Sequence, residues 1–151
     1  MRKDGLRNST SCVTETYCER LYRNDAVSSS EKSGSSASVP VENRKIEVGG
    51  AKYKTLSIGA WAWGGNWSRT DVKAYAVLNI NGTEEEMLLQ SVYDYDGGTN
   101  YAWASYNFDT MFPTSLIGNI KYVYVDVTSS ATYVQGWELN VTYTTVTWVA
   151  E

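Results

Sequence analysis

The sequence predicts an all-β chain, an antiparallel β-sandwich of jelly-roll or Greek-key type preceded by a polar N-terminal arm. Apolar residues alternate at period 2 beyond residue 45, turn signals recur about every ten residues, and that region lacks helical periodicity. The expected division is an arm and linker over 1–45 and a sandwich domain over 46–151.

Residues 1–27 are polar and mixed, with a short helix expected over Thr14 to Arg23. A helix of that length is marginal alone in water. The Ser-rich stretch 28–38 has linker composition, and Pro40 marks its end. From Tyr53 to Trp63, Leu56, Ile58, Ala60 and Ala62 share one strand face, and Trp61 and Trp63 share the other. From Val72 to Ile80 the apolar face is Val72, Ala74, Ala76, Leu78 and Ile80. Asn81-Gly82 then supplies a hairpin turn, since both residues accept positive φ. A strand over Glu85 to Tyr95 is expected to put Met87, Leu89, Tyr93 and Tyr95 on one side. Asp96 to Asn100 turns, Tyr101 to Phe108 is a strand, and Asp109 to Gly118 is a crossing loop. Ile120 to Val127 is a strand rich in Val and Tyr. Tyr133 to Val149 is long for one strand, so Gly136 is expected at a bulge or bend. Leu139, Val141, Tyr143 and Val149 should point inward.

Composition narrows the function. The chain has no histidine, which removes Ser-His-Asp and Cys-His catalysis and the commonest metal ligand. Its net charge of −4 disfavours nucleic acid as a partner, because phosphate binding draws on Lys and Arg. No run of about 20 apolar residues is present, so no membrane-spanning helix is expected. The basic start Met1 to Arg7 lacks an apolar stretch, so export is expected to need a leader outside this sequence, or release by lysis. All six Trp, both Phe and ten of the twelve Tyr lie beyond residue 50. Each buried aromatic removes about 150–250 Å² from water, which suits a core or an interface.

Several groups could carry chemistry. Trp61 and Trp63 sit about 6.6 Å apart on one strand face. With Trp67, Tyr101 and Trp103 they are the candidate platform for a glycan, since sugar C–H faces stack on aromatic rings. Packing in the core or on a neighbouring subunit is the commoner use of such residues. Asp94 and Asp96, followed by Gly97, resemble the opening of a calcium loop but lack its closing glutamate. Asp96-Gly97 also reads as an ordinary turn, so the expectation is no cofactor, with calcium the one candidate. Glu84, Glu85, Glu86, Asp109, Asp126 and Glu138 are the carboxylates from which a glycosidase pair would be drawn. Cys12 and Cys18 are the only cysteines, and a local disulfide within the arm is the favoured reading ahead of free thiols. Asn8, Asn66, Asn81 and Asn140 begin Asn-x-Ser/Thr triplets, with Asn81 and Asn140 expected at the surface.

The leading reading is a non-catalytic structural protein of an extracellular or virion assembly. Copies would associate as homo-oligomers through aromatic β faces and the arm, by strand addition to an open sheet edge. The alternative is a carbohydrate-binding sandwich such as an adhesin or tail-fibre module, and a glycoside hydrolase ranks third.

Overall fold

Period-2 alternation is realised along β4 (Ser68–Ile80), where Val72, Ala74, Ala76 and Leu78 are buried and Arg69, Asp71 and Lys73 face out. The computed structural model describes residues 10–27, 41–63, 67–131 and 133–150, with side chains described over 15–20, 41–63, 67–131 and 136–145. The other strands are β1 (Thr10–Val27), β2 (Lys45–Ile46), β3 (Lys52–Trp63), β5 (Thr83–Asp96), β6 (Thr99–Asn107), β7 (Ile120–Ser129) and β8 (Tyr133–Ala150).

They form two antiparallel four-stranded sheets, ordered β1-β8-β3-β6 and β2-β7-β4-β5. Successive strands alternate between sheets except at the β4–β5 hairpin, which is the jelly-roll winding. Between the sheets lies one core that includes Leu56, Ile58, Val72, Val123, Val125, Trp137 and Leu139. Burying such side chains contributes about 1.5–3 kcal/mol each.

The two ends of the core are closed differently. At one end Phe108 packs against Tyr53 (5.8 Å), Tyr106 (5.0 Å, edge-on) and Phe112 (5.6 Å). At the other, buried Asn100 of β6 accepts hydrogen bonds from Ser68 (3.1 Å) and Thr70 (2.8 Å) of β4, and Thr70 bonds Ser129 of β7 (2.8 Å). This polar chain joins the two sheets, and each member has a partner, as burial requires.

Several expectations are met. Asn81 and Gly82 both have positive φ (54° and 84°) at the β4–β5 turn. The β3–β8 register shifts by one residue beside Gly136, so Trp61 faces Gly136 while Ala62 faces Val134. Leu139 and Val141 are buried and Tyr143 packs partly against the core. Val149's side chain lies outside the described ones.

Other expectations are corrected. Residues 10–27 are a strand along β8, not a helix at Thr14 to Arg23. Main-chain pairing with β8 supplies what a ten-residue helix lacks in water. The segment after β6 holds a one-turn helix α1 (Phe108–Met111), capped by Asn107 accepting from the Asp109 N–H at 2.9 Å, and a 3-10 turn at Thr114–Asn119. On β5, a bulge leaves Leu89 as an extra residue between the pairs Ala74–Gln90 and Tyr75–Leu88. The bulge reverses the alternation, so Leu89 is buried while Tyr93 and Tyr95 are exposed on the opposite side.

Cys12 and Cys18 are not bridged. Both lie on extended β1, about 20 Å apart at the usual strand rise, beyond the reach of a disulfide, and Cys18 is a free, exposed thiol.

Candidate functional site

The outer face of the β1-β8-β3-β6 sheet carries an open cleft of about 490 Å³ lined by Arg20, Trp61, Thr99, Tyr101, Trp103 and Glu138. The strand register builds it. Trp61 of β3 lies between Tyr101 of β6 and Gly136 of β8, and Gly59 lies between Trp103 and Glu138. All project outward because Leu56, Ile58, Ala60 and Ala62 on β3, and Ala102 and Tyr106 on β6, face the core.

Gly59 determines how Trp103 lies. A Cβ at Gly59 would fall 2.0 Å from Cε3 and 2.3 Å from Cζ3 of the Trp103 indole. The indole therefore lies down over the glycine, with no room for a methyl beneath it. Tyr101 stacks beside it, ring centroids 6.2 Å apart and planes 25° from parallel. The two rings make a nearly flat apolar floor that stays open to solvent, Tyr101 at 61% and Trp103 at 42% exposure.

A charged pair borders this floor. Arg20 of β1 donates to Glu138 Oε2 from Nε (3.0 Å) and Nη2 (2.7 Å). Arg20 stands opposite Asn140 in the ladder and reaches diagonally to Glu138. The carboxylate is almost covered and the guanidinium more than half exposed, 6% against 57% by side chain. The pair is close to neutral overall and presents polar edges next to apolar rings. Such a combination can stack a pyranose face and bond its hydroxyls.

Of the predicted platform, Trp61, Tyr101 and Trp103 come together in the cleft. Trp63 projects from the same face, 43% exposed, beyond Trp61 and opposite Thr99. Trp67 does not join them. It precedes β4 and packs on Tyr95 (5.3 Å) and against Gly97, leaving it 68% exposed. Arg20 was not foreseen, because it lies on a segment read as arm. Gly59 within a strand was a usable signal of close approach.

The two aspartates have local tasks. Asp94 accepts from the Tyr101 N–H at 2.8 Å and Asp96 from the Gly98 N–H at 3.2 Å, which shapes the β5–β6 turn. Among the described residues no group of three or more His, Cys, Asp or Glu converges as a metal would need.

The candidate acids mostly face partners. Glu84 pairs with Lys121 (2.6 Å), Asp109 with Lys54 (3.5 Å) and Asp126 with Arg44 (3.6 Å), while Glu86 accepts from the Tyr124 hydroxyl. Burial, then the Glu86 bond, pushes the Tyr124 phenol well above its ordinary range. The hydrogen bond to Glu84 raises Lys121. Glu84, Glu85, Glu86, Tyr122 and Tyr124 line a smaller groove of about 310 Å³ on the opposite sheet. Asn81 is exposed at its turn; Asn140 is half-buried and accepts from the Cys18 thiol at 3.1 Å. Asn8 and Asn66 lie outside the described residues, as does the side chain of Cys12.

No protein-family model matches the chain. No curated protein matches it either. Solved structures show distant similarity. One is the carbohydrate-binding module and family 10 xylanase modules of a Clostridium thermocellum xylanase, complexed with xylohexaose: 8% identity, TM-score 0.36, covering 68% of this chain and 19% of that one. The chain thus spans about a fifth of that protein. Another is from the capsid of Helicobacter pylori bacteriophage KHP30: 13% identity, TM-score 0.40, covering 95% and 100%. A third is a carbohydrate-binding module from a family 9 glycoside hydrolase of Ruminococcus flavefaciens: 10% identity, TM-score 0.40, covering 82% and 97%. At such identities and scores these likenesses carry no argument. Among the described residues no helix is long and apolar enough to cross a membrane.

Proposed function

We propose that this sandwich is a non-catalytic carbohydrate-binding domain working outside the cell or on a virion, and that it docks a neutral saccharide chain in the Trp61–Tyr101–Trp103 cleft. The observation that carries the reading is the flat, solvent-open Tyr101–Trp103 floor, made possible by Gly59 and bordered by the Arg20–Glu138 pair. Sugar C–H bonds are slightly positive and meet the negative ring faces, while Arg20 and Glu138 supply hydrogen bonds at the side. The ion pair already balances its own charge, so a neutral ligand suits the cleft better than an acidic one. With no histidine and most of its candidate acids held by bases or a phenol, the chain is read as a binder and not a hydrolase.

A glycan array probed with the wild-type chain, Tyr101→Ala and Trp103→Ala tests this. Binding to a neutral polysaccharide class that falls at least about tenfold in either variant is the expected result. No binding across the array, or binding indifferent to both substitutions, rejects it.

A second reading, an assembly protein, is supported by a different feature. β1 is an 18-residue edge strand, and among the described residues no strand pairs with its far side. A light-scattering mass above that of one chain is the expected result for that reading, and a monomer rejects it.

A further inference from the structure

The aromatic cleft does not end at Trp103. On the same outer face a second groove, of about 220 Å³, is lined by Cys18, Thr55, Ser57, Ser105, Asn140 and Thr142. The ladder joins the two. Ser57 stands opposite Ser105 and Asn140, one row on from Gly59 between Trp103 and Glu138. Residues two apart on a strand share a face, so these rows are neighbours about 6.6–6.8 Å apart. Arg20 spans the boundary, since it stands opposite Asn140 and bonds Glu138 at 2.7 Å. Thr55, Thr142 and Cys18 form the next row. From Trp61 to Thr55 the trough runs about 20 Å along β3.

The two parts differ in chemistry. The first offers rings beside an ion pair, and the second offers hydroxyls and an amide with no charged side chain. Among the described residues the hydroxyls of Thr55, Ser57, Ser105 and Thr142 have no hydrogen-bond partner within the fold. Asn140 is engaged only through Oδ1, which accepts from the Cys18 thiol at 3.1 Å. Its Nδ2 donors and the four hydroxyls are left for water or a ligand, and neutral groups that both donate and accept match the hydroxyls of a sugar.

We propose that a linear neutral polysaccharide lies along β3, stacked on Tyr101 and Trp103 and continuing past Gly59 into the hydroxyl-lined groove as far as Cys18. The proposal rests on the cleft being the saccharide site and names the class of chain it takes. A disaccharide covers the rings alone, whereas a longer unbranched chain meets both parts. Stacking fixes where the chain lies, and the second groove adds hydrogen bonds along its length.

Cys18 makes the far end of the trough observable, because it is an exposed, free thiol. The probes are unbranched cello-, laminari-, xylo-, manno- and galacto-oligosaccharides, each from disaccharide to hexasaccharide. In the series that binds, affinity by titration calorimetry is expected to rise at least about tenfold from the disaccharide to the hexasaccharide. In a full-length Cys12→Ser chain, the saturating hexasaccharide is expected to slow iodoacetamide alkylation of Cys18, and the saturating disaccharide to leave it unchanged. Ser105→Leu, at an exposed position, is expected to stay folded by circular dichroism, bind the disaccharide as wild type does and lose the gain with length. A hexasaccharide that binds no tighter than the disaccharide, leaves Cys18 alkylation unchanged, or keeps its full gain in folded Ser105→Leu overturns the extension. The cleft reading survives that outcome if Trp103→Ala still weakens binding. No binding by any series overturns the cleft and its extension together.

Discussion

Replacing Gly59 by alanine separates the cleft from the fold that carries it. The added methyl would lie 2.0 Å from the nearest Trp103 ring carbon, so something must move. Ordinary contact is about 3.5–4.0 Å, which demands a displacement of roughly 1.5–2 Å. The backbone of β3 is pinned on both sides by β6 and β8, whereas Trp103 is partly exposed and free to swing outward. Stability should change little. Alanine in a strand gains about 0.5–1 kcal/mol over glycine, and lifting one ring from its stack loses about 0.5–1.5 kcal/mol. The two nearly cancel, so urea unfolding should shift by less than about 1 kcal/mol. Binding should not be spared. Tilting Trp103 removes one of two stacking rings, and a loss of about 0.5–1.5 kcal/mol is a weakening of roughly 2- to 13-fold. Titration calorimetry with a saccharide from the array checks this beside the unfolding curve. Full affinity in a folded Gly59→Ala protein would refute the flat floor as the recognition surface. Unfolding of that variant would refute the claim that Trp103, and not the backbone, yields.

Three further outcomes follow from the packing. Arg20→Ala should cost about 1–2 kcal/mol, because Glu138 is covered and loses its partner while the exposed half of the pair is screened; a double-mutant cycle with Glu138→Gln that returns no coupling would contradict this. Trp137 is fully buried and among the described residues its Nε1–H has no acceptor, so Trp137→Phe removes an orphan donor as well as volume. Its change should stay within about 1.5 kcal/mol, against about 3–5 kcal/mol for Trp137→Ala, and equal losses in chemical denaturation would count against an unsatisfied indole. Burial raises the Tyr53 phenol to about 12 from an ordinary 10. The neutral form is favoured in the fold, so its contribution is fully present below pH 10 and is lost as pH rises towards 12, about 3 kcal/mol in all. Tyr53→Phe should flatten the difference between unfolding curves at pH 9 and pH 12, and an unchanged slope would refute the assignment.

Legibility in the sequence tracked periodicity. Residues 53–63 and 72–80 alternate cleanly, and their faces lie as the pattern required. The Asn81-Gly82 turn was readable because only positive φ fits there. What failed was information that lies across strands. The Leu89 bulge reverses β5, and nothing in the residues around Leu89 announces it. β1 was misread because its apolar residues are sparse; what makes it a strand is the ladder offered by β8, over 100 residues away. Trp61, Tyr101 and Trp103 could be named from the sequence, but their meeting depends on the β3–β6 register. Trp67 shows the limit, since proximity in sequence to Trp61 and Trp63 did not bring it to the same sheet.

The cleft follows from a repeated pairing of large with absent side chains. Trp103 lies opposite Gly59, and Trp61 lies opposite Gly136. In each case a ring on one strand faces bare backbone on the next. A ring beside a glycine can lie down on the sheet, cover the exposed main chain and keep its upper face open. A ring beside a larger residue must stand up and spend both faces on its neighbours. The directly opposed Gly59–Trp103 pair therefore flattens the sheet under the indole without adding a loop, and Gly136 leaves bare backbone opposite Trp61. The bulge beside Gly136 falls on β8, the strand that carries Glu138. Both glycines lie in long strands whose opposite faces are core, so the sandwich holds the backbone beneath the rings. Gly136→Val should then disturb Trp61 as Gly59→Ala disturbs Trp103. If ligand affinity responds to one glycine and not the other, the floor is a single ring and not a surface.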